Sequence, residues 1–274
     1  MSDIPTIPEM DETARKAWPL FSEKFSLGTP EEFYSRMTKG LPRGTKLDLN
    51  LGEQGDLQFI GYRYKDEKGK FFFERTITED VAYHAITVLD PALQGSGIAK
   101  TANGNLFRLY QEMDIKHIAL DASDIGSYAW ARAGFVPTHK DWSNMRQEIS
   151  NRLDFLQQHV PPHEKPLPDG CVEALRKALS SDDSKSFWSV VDEKHSYCGT
   201  SLGKLLTLPA NQLPGHNPWP EGLLRNGTHW HGILNMNDPV SVQRMEAYLF
   251  AQKSGPSPKA KPAAQTLSAA GARR

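Results

Sequence analysis

The sequence predicts a mixed α/β (α+β) fold in which a mainly antiparallel, twisted sheet is flanked by helices. Three observations support this prediction. Four consecutive apolar or alternating segments, separated by polar turns, indicate a meander of β-strands. A strand, a glycine-containing turn, a helix and another strand then follow in succession, which is typical of a β-α-β unit. Helical periodicities precede and follow this region, so we expect helices to cover the sheet.

Residues 1–44 are predicted to form two N-terminal helices. The first ten residues hold two prolines and show little periodicity, so we expect them to be loose. One helix is predicted over residues 11–25, and a second begins at Thr29-Pro30-Glu31-Glu32 and ends at Gly40. Thr29 suits an N-cap, and Glu32 follows it at the spacing of a capping box. Both helices precede every clear strand of the sequence.

Residues 45–139 are predicted to form the core of the fold. The meander comprises strands over residues 46–51, 57–64, 71–78 and 81–89. A helix is predicted over residues 99–113, a strand over residues 116–122 and a short helix over residues 125–133. This order places one helix between two strands that point the same way.

Residues 140–251 are predicted to form a mainly helical C-terminal extension. Helical segments are predicted over residues 142–160, 170–179, 184–194 and 239–251. Residues 229–236 alternate as a strand does, and we expect them to return to the core sheet as a late strand. Residues 252–274 are rich in Pro, Ala, Ser, Lys and Arg, a composition that predicts a disordered tail.

The overall composition excludes several classes of protein. The chain has 274 residues, 38% of them hydrophobic, and a formal net charge of −1. General nucleic-acid or membrane-surface binding requires a basic excess, so we expect neither partner. Two cysteines and no hydrophobic secretion signal favour a cytoplasmic protein over a disulfide-linked one. No apolar run reaches the roughly 20 residues of a membrane-spanning helix.

The turn between the fourth strand and the next helix carries the strongest functional signal. Its residues are Asp90-Pro91 and Gln94-Gly95-Ser96-Gly97-Ile98-Ala99. Glycines let backbone N–H groups approach a ligand, and the start of a helix offers unpaired donors and a positive dipole end. This combination is typical of a pyrophosphate site. The alternative is a tight corner whose glycines serve the backbone alone.

Residues 83–137, about a fifth of the chain, resemble the GNAT superfamily of acyl-CoA-dependent N-acyltransferases. Gln94-x-x-Gly97-x-Ala99 matches the (Arg/Gln)-x-x-Gly-x-(Gly/Ala) pattern of that family. The strand before the turn and the strand over residues 116–122 match as well. The short helix ends in Gly134-Phe135, which is similar to the closing Gly-Phe of the family.

The resemblance implies an N-acyltransferase in which a primary amine attacks the thioester of an acyl-CoA directly. Acetyl-CoA is the expected co-substrate, another acyl-CoA being the alternative. The expected acceptor is a primary amine, carried either by a small molecule or by a protein or other macromolecule. The resemblance also assigns cofactor contacts: the pantetheine arm would meet the backbone of Val88 and Leu89. The pyrophosphate would meet the main-chain N–H groups of Gln94, Gly95, Ser96, Gly97, Ile98 and Ala99.

Three side chains are candidates for contact with the amine. In the family, catalytic side chains lie on one face of the strand before the turn. Counting back from Gln94 places Glu79 and Tyr83 on that face. Glu79 is a candidate base, the alternative being a solvated charge on a turn, and Tyr83 is a candidate substrate contact. Asp121 ends the following strand, where open α/β sheets bind ligands, and its alternative is a helix cap.

One departure from the family pattern supports a second hypothesis. The family commonly has a Tyr four residues before the Gly of Gly-Phe, where it protonates the departing CoA thiolate. Trp130 occupies that position here, and an indole N–H is not a usable acid. The alternative function is therefore a catalytically inactive, GNAT-like CoA-binding module.

A metal site is the remaining interpretation. His229 and His231 would share one face of a strand, as two ligands of a metal do. Cysteines and carboxylates that would complete the ligand set are scarce nearby in the sequence. We therefore expect no metal, and oriented main-chain amides would supply the positive field at the pyrophosphate.

Overall fold

A computed structural model describes residues 5–123, 125–159, 165–197, 199–208 and 228–250. In these ranges an eight-stranded sheet is flanked by helices, and most neighbouring strands are antiparallel. The prediction of a mixed α/β fold with a mainly antiparallel sheet is confirmed. The predicted tail over residues 252–274 lies outside the described ranges.

The first half of the chain supplies most of the sheet. Its elements in chain order are β1 (Glu9–Met10), α1 (Glu12–Phe25), α2 (Pro30–Met37), β2 (Lys46–Leu51), β3 (Leu57–Asp66), β4 (Gly69–Ile77), β5 (Val81–Leu89), α3 (Ile98–Glu112) and β6 (His117–Ala122). The helix starts agree with the sequence: Asp11 caps α1, and Thr29 and Glu32 form the predicted capping box of α2. Local side-chain hydrogen bonds thus define both helix starts.

The second half of the chain is mainly helical. Its elements are α4 (Ile125–Arg132), β7 (Val136–Pro137), α5 (His139–Gln158), α6 (Asp169–Ser180), α7 (Phe187–Val191), β8 (Ser196–Tyr197), β9 (Thr200–Ser201), α8 (Leu202–Thr207), β10 (Trp230–Asn235) and α9 (Pro239–Phe250). The β8–β9 pair forms a small separate sheet. In the parts of the chain that the structure describes, no helix combines the length and apolar character needed to cross a membrane.

The main sheet has the strand order β1-β2-β3-β4-β5-β6-β10-β7. Strands β2 to β5 form an antiparallel meander, and β6 lies parallel to β5 after the crossover through α3. Strand β10 lies antiparallel between β6 and β7. The segment at residues 230–235 therefore enters the core sheet, although more than 100 residues separate it from β6.

A short edge strand precedes the helices, so the expectation that the first ten residues are loose was wrong for two of them. Glu9–Met10 pairs in parallel with Asp48 and Leu49 of β2. The Glu9 carboxylate accepts hydrogen bonds from Lys46 at 2.6 Å and Arg63 at 2.7 Å. Pairing with β2 and the cations of β2 and β3 hold this segment in place. No sequence pattern indicated it, because a two-residue strand is too short to show a periodicity.

The two faces of the central sheet differ in burial. Side chains of one face pack with α1, α2 and α3 in a single apolar cluster; they include Leu47, Leu49, Ile60, Tyr62, Phe71, Phe73, Ala82, Ile118, Leu120 and Leu234. The opposite face, which we call the outer face, carries exposed side chains; they include Tyr83, Ile86, Val88 and Ile233. A functional side chain on the outer face therefore remains accessible at the centre of the sheet.

Candidate active site at the β5–β6 fork

The parallel strands β5 and β6 pair over only part of their length. Their register runs from Val81–His117 to His84–Leu120 and ends there. Strand β5 continues for five more residues and remains paired with β4 as far as Leu89. We call the opening between residues 85–89 of β5 and residues 121–122 of β6 the fork. It exposes a strand edge inside the sheet, rather than at its border.

A β-bulge in β5 accounts for the fork. On β4, Glu74 and Thr76 are two residues apart, whereas their partners on β5, Ile86 and Tyr83, are three residues apart. One extra residue is thus inserted in β5, and such an insertion bends and twists the strand that carries it. The pairing of β5 with β6 stops at His84, within this irregular stretch, so the bulge and the fork coincide.

The side chain of Arg75 lies across the bulge and is fully buried. Its Nη1 donates to the carbonyl oxygens of Glu74 at 2.8 Å and Ile86 at 2.7 Å. Its Nη2 donates to Thr87 Oγ1 at 3.1 Å and to Asn103 Oδ1, on α3, at 3.0 Å. Burial in apolar surroundings lowers the pKa of Arg75 to about 10. The guanidinium joins the bulge to the helix that begins beside the fork.

The glycine turn between β5 and α3 faces open space. Gly95 and Gly97 have φ angles of +74° and +91°, and a Cβ at either position would meet nothing within 4 Å. The left-handed backbone, not crowding, therefore requires glycine at both positions. Gly97 is the N-cap of α3, and the first N–H groups of a helix lack acceptors within it. The turn thus presents a helix start to solvent beside the fork.

The predicted pyrophosphate donors separate into two groups. The N–H groups of Gln94 and Ser96 donate within the turn, to the carbonyls of Pro91 at 3.2 Å and Leu93 at 3.3 Å. The Ser96 hydroxyl also donates to the Leu93 carbonyl and is 3.5 Å from the N–H of Ile98. The Ile98 N–H therefore donates to Ser96 Oγ, and the other two predicted donors at the helix start are the N–H groups of Gly97 and Ala99. A pyrophosphate would therefore lie against these donors rather than against the earlier part of the turn.

The predicted pantetheine contacts lie at the end of β5. Val88 pairs with Phe72 of β4, and its side chain is exposed on the outer face. Leu89 is half-buried, and its carbonyl accepts a hydrogen bond from the side chain of Gln94 at 3.3 Å. This contact ties the start of the glycine turn to the strand, so the fork and the turn form one continuous surface.

Two predicted catalytic residues meet on the outer face at the fork. Tyr83 is on β5, one position before the last pair with β6, and Asp121 follows the last paired residue of β6. The Tyr83 hydroxyl donates to Asp121 Oδ2 at 2.5 Å. This hydrogen bond is the main reason that the pKa of Tyr83 is raised, because ionisation would place two anions together.

A histidine and a second aspartate extend this pair. His231 of β10 is the register partner of Asp121, and its Nε2 is 3.4 Å from Asp121 Oδ1. The Nδ1 atom and the backbone N–H of His231 each lie 3.0 Å from Asp141 Oδ2. Burial opposes ionisation of Asp141, but the hydrogen bonds from Thr138 and His231 outweigh it and lower the pKa of Asp141. Asp141 is thus a fixed anion behind the imidazole.

The third predicted catalytic residue lies elsewhere. Glu79 is exposed on the turn between β4 and β5, before β5 begins. The fork begins beyond His84, toward the other end of β5. Tyr83 is four residues after Glu79, which corresponds to roughly 13 Å along an extended strand. The structure brings Tyr83 and Asp121 together and does not bring Glu79 to them.

The residue at the position of the family Tyr is part of a packed aromatic group. The Trp130 ring contacts the rings of His84 at 5.6 Å and Phe135 at 5.3 Å between centroids. His84 is buried on the face opposite Tyr83, and its Nε2 is 3.3 Å from the Tyr110 hydroxyl. Burial, with the nearby charge of Arg75, holds the pKa of His84 well below its usual value. Trp130 therefore packs between α4 and the sheet.

Sequence reasoning missed three members of the site: Arg75, Asp141 and His231 as a partner of Asp121. Arg75 had a detectable signal, since it occupies an inward position in the alternation of β4. His231 and Asp141 are 90 residues apart in sequence, and no spacing rule relates them. Within the described part of the chain, no group of three or more His, Cys, Asp or Glu is placed to hold a metal ion.

Comparisons with protein-family models, curated proteins and solved structures found no match to the chain. The chemistry of the site is therefore argued from its own geometry. An open strand edge, a helix start behind two glycines and a Tyr83–Asp121–His231–Asp141 series of neighbouring side chains lie at one fork. The first two features suit an elongated anionic ligand, and the third suits proton transfer.

Proposed function

We propose that the protein is an acyl-CoA-dependent N-acyltransferase of the GNAT type, which transfers an acetyl group from acetyl-CoA to a primary amine. The observation that carries the proposal is the fork itself. Strands β5 and β6 separate after the pair His84–Leu120, and the glycine turn begins at the end of the open β5 edge.

The fork matches the chemistry of coenzyme A in two places. The pantetheine arm carries amide groups, and an unpaired strand edge binds such groups as it binds an added strand. The diphosphate is anionic and suits the start of α3, where N–H groups lack intrahelical acceptors. With the nucleotide at the turn and the arm along residues 85–89, the thioester would lie near the point where β5 and β6 separate.

Tyr83 and Asp121 lie at that point and would contact the amine. The amine nitrogen attacks the thioester carbonyl, so a C–N bond forms and the C–S bond breaks. Asp121 accepts the proton that the nitrogen loses, and Tyr83 orients the carboxylate through its hydrogen bond. The CoA thiolate leaves with the bonding electrons and takes a proton from solvent. This route requires no acid at the position of Trp130.

The C-terminal extension bears on the identity of the acceptor. Helix α5 begins beside the fork and supplies Asp141 to the cluster on the outer face. The exposed outer face next to it has room for an acceptor larger than a small amine. We therefore propose amines carried on a protein or another macromolecule as the first acceptors to test.

Calorimetry and a thiol-release assay test the proposal. Acetyl-CoA should bind saturably, and ADP, which lacks the pantetheine arm, should bind more weakly. Release of free thiol should then depend on one member of a panel of lysine peptides, protein N-termini and small amines. If millimolar acetyl-CoA and longer acyl-CoAs produce no heat, the proposal fails.

A second candidate function is a CoA-binding module without catalysis. The observation that favours it is Trp130, which packs against His84 and Phe135 where the family has its acid. This candidate predicts saturable binding of acetyl-CoA without thiol release from any acceptor. The same two measurements therefore separate the candidates.

A further inference from the structure

We propose that His231 completes the site as a proton relay: it takes from Asp121 the proton that the attacking amine loses and releases it to solvent, while Asp141 holds its ring. This inference rests on the proposed acyl transfer. His231 and Asp141 act through Asp121, so both are positioning residues rather than catalytic ones.

Asp141 determines which nitrogen of His231 carries the proton. Asp141 Oδ2 is 3.0 Å from Nδ1 and accepts hydrogen bonds from the His231 backbone and the Thr138 hydroxyl as well. A neutral imidazole beside this carboxylate keeps its proton on Nδ1. The lone pair of Nε2 is then directed at Asp121.

The contact between His231 and Asp121 suits a proton that arrives during the reaction. Nε2 and Asp121 Oδ1 are 3.4 Å apart, beyond a normal hydrogen bond. Two lone pairs face each other in that state. When Asp121 accepts the amine proton, its O–H becomes a donor, and transfer to Nε2 restores the carboxylate and forms an imidazolium. Catalytic hydrogen bonds often tighten in this way once substrate binds.

Exposure of His231 provides the exit for the proton. Its side chain is 63% exposed, against 43% for Asp121 and 18% for Asp141. Asp121 would be covered by the bound amine, whereas His231 would remain in contact with water. The imidazolium can therefore lose its proton to solvent before the next turnover.

The charges around the relay come from the groups that face His231. Within the described ranges these are Asp121 on β6 and Asp141 on α5, with His229 preceding it on the same segment at 6.0 Å between ring centroids. Tyr83 is one hydrogen bond further, beyond Asp121. Both carboxylates stabilise the imidazolium that forms when the proton arrives.

The test compares His231→Gln and Asp141→Asn with His229→Gln, a neighbouring exposed histidine, as the matched control. Calorimetry measures acetyl-CoA affinity, and thiol release from pH 5.5 to 9 measures kcat and kcat/KM for the amine. We expect His231→Gln to keep its acetyl-CoA affinity within about two-fold and to lose about 10- to 100-fold in kcat. The limb of the profile near neutral pH should disappear in this variant and persist in His229→Gln.

The tautomer of the His231 ring, read from its nitrogen NMR shifts, gives a readout without turnover. The wild-type ring should carry its proton on Nδ1, and Asp141→Asn should weaken that preference, because a neutral amide replaces the carboxylate. An unchanged tautomer preference overturns the relay. If the wild-type protein turns over and His231→Gln keeps the pH profile of His229→Gln, the relay is overturned and the transferase stands. If the wild-type protein consumes no acetyl-CoA with any acceptor, the proposed function fails and the relay fails with it.

Discussion

Arg75 donates a hydrogen bond of 2.7 Å from Nη1 to the carbonyl oxygen of Ile86, across the bulge of β5. This contact gives the fork a physical cause that is independent of any ligand. The bulge lies where β5 and β6 stop pairing, and a buried guanidinium donates to a carbonyl in the irregular stretch. The shape of the site is thus built into the sheet.

Replacement of Arg75 tests this role. Arg75→Met removes the donors to Glu74, Ile86, Thr87 and Asn103, and a buried acceptor left unpaired costs about 1–3 kcal/mol. Relief of the buried charge offsets part of this cost, so we expect the free energy of unfolding in urea to fall by about 2–3 kcal/mol. Hydrogen exchange of residues 85–89 should become faster.

A second buried arginine provides the control. Arg152 of α5 is 2% exposed and donates to the carbonyls of Leu206 at 3.1 Å and Leu208 at 3.3 Å, which lie at the end of α8 and outside the main sheet. Arg152→Met should lose similar stability without weakening acetyl-CoA binding, whereas Arg75→Met should weaken it. Equal effects of the two variants on acetyl-CoA affinity would contradict the role of Arg75 in shaping the fork.

The glycine turn allows a matched pair of substitutions. Gly97 and Gly44 have φ angles of +91° and +89°, and a Cβ at either would meet nothing within 4 Å. Changing either glycine to Ala places an L-residue in the left-handed region, which costs about 1–2 kcal/mol. Only Gly97→Ala adds a methyl group in front of the α3 helix start. We expect calorimetry to show at least a 10-fold loss of acetyl-CoA affinity for this variant alone, and similar affinities in the two variants would argue against a diphosphate site.

The hydrogen bond between Tyr83 and Asp121 also has a counterpart elsewhere. On β3, the Tyr64 hydroxyl donates to Asp66 Oδ2 at 2.5 Å, the same geometry without the fork. Tyr83→Phe should lower kcat/KM for the amine by about 10-fold or more, because Asp121 loses its orienting partner. Tyr64→Phe should leave activity unchanged. Both variants alter exposed hydroxyls, so the free energy of unfolding should change by less than about 0.5 kcal/mol.

Buried His84 should make stability depend on pH. Its pKa is lowered in the folded protein by burial and by Arg75, whereas in the unfolded chain it titrates near its ordinary value of about 6.5. Below that pH the unfolded chain binds a proton that the folded protein does not, so stability falls as pH falls. Between pH 7.5 and 5.5 the free energy of unfolding should drop by about 1.4 kcal/mol from this group.

Urea unfolding at the two pH values measures the contribution of His84. His84→Gln should lose stability at both values but show a drop smaller by about 1.4 kcal/mol. His139→Gln, at an exposed position, should keep the wild-type drop. A wild-type drop in His84→Gln would show that His84 is not the group responsible.

Much of the local structure could be predicted from the sequence. The capping box at Thr29, the meander and the glycine turn follow from short-range spacing, because a cap or a left-handed turn depends on residues within one or two turns of chain. Asp121 could also be placed at the end of its strand, and Tyr83 on an accessible face of β5, from alternation and element order alone.

The bulge could not be predicted in this way, since it depends on how β5 registers against β4. Because of the extra residue, Ile86 and Val88 share the outer face with Tyr83. An unbroken alternation would have placed Ala85 and Thr87 there. Glu79 was a candidate because it shares the alternation of Tyr83; both residues lie on the same side of the bulge, and Glu79 is remote because it precedes β5 on the turn from β4.

The sequence by itself determined the helix starts, the strands of the meander and the glycines that the left-handed turn requires, because each depends on neighbouring residues. Only the tertiary structure decided that His231 and Asp141 join Asp121, since β10 enters the sheet between β6 and β7 from more than 100 residues away. Side chains on different elements meet where strand order and register place them. Those are properties of the whole sheet, and no local pattern encodes them.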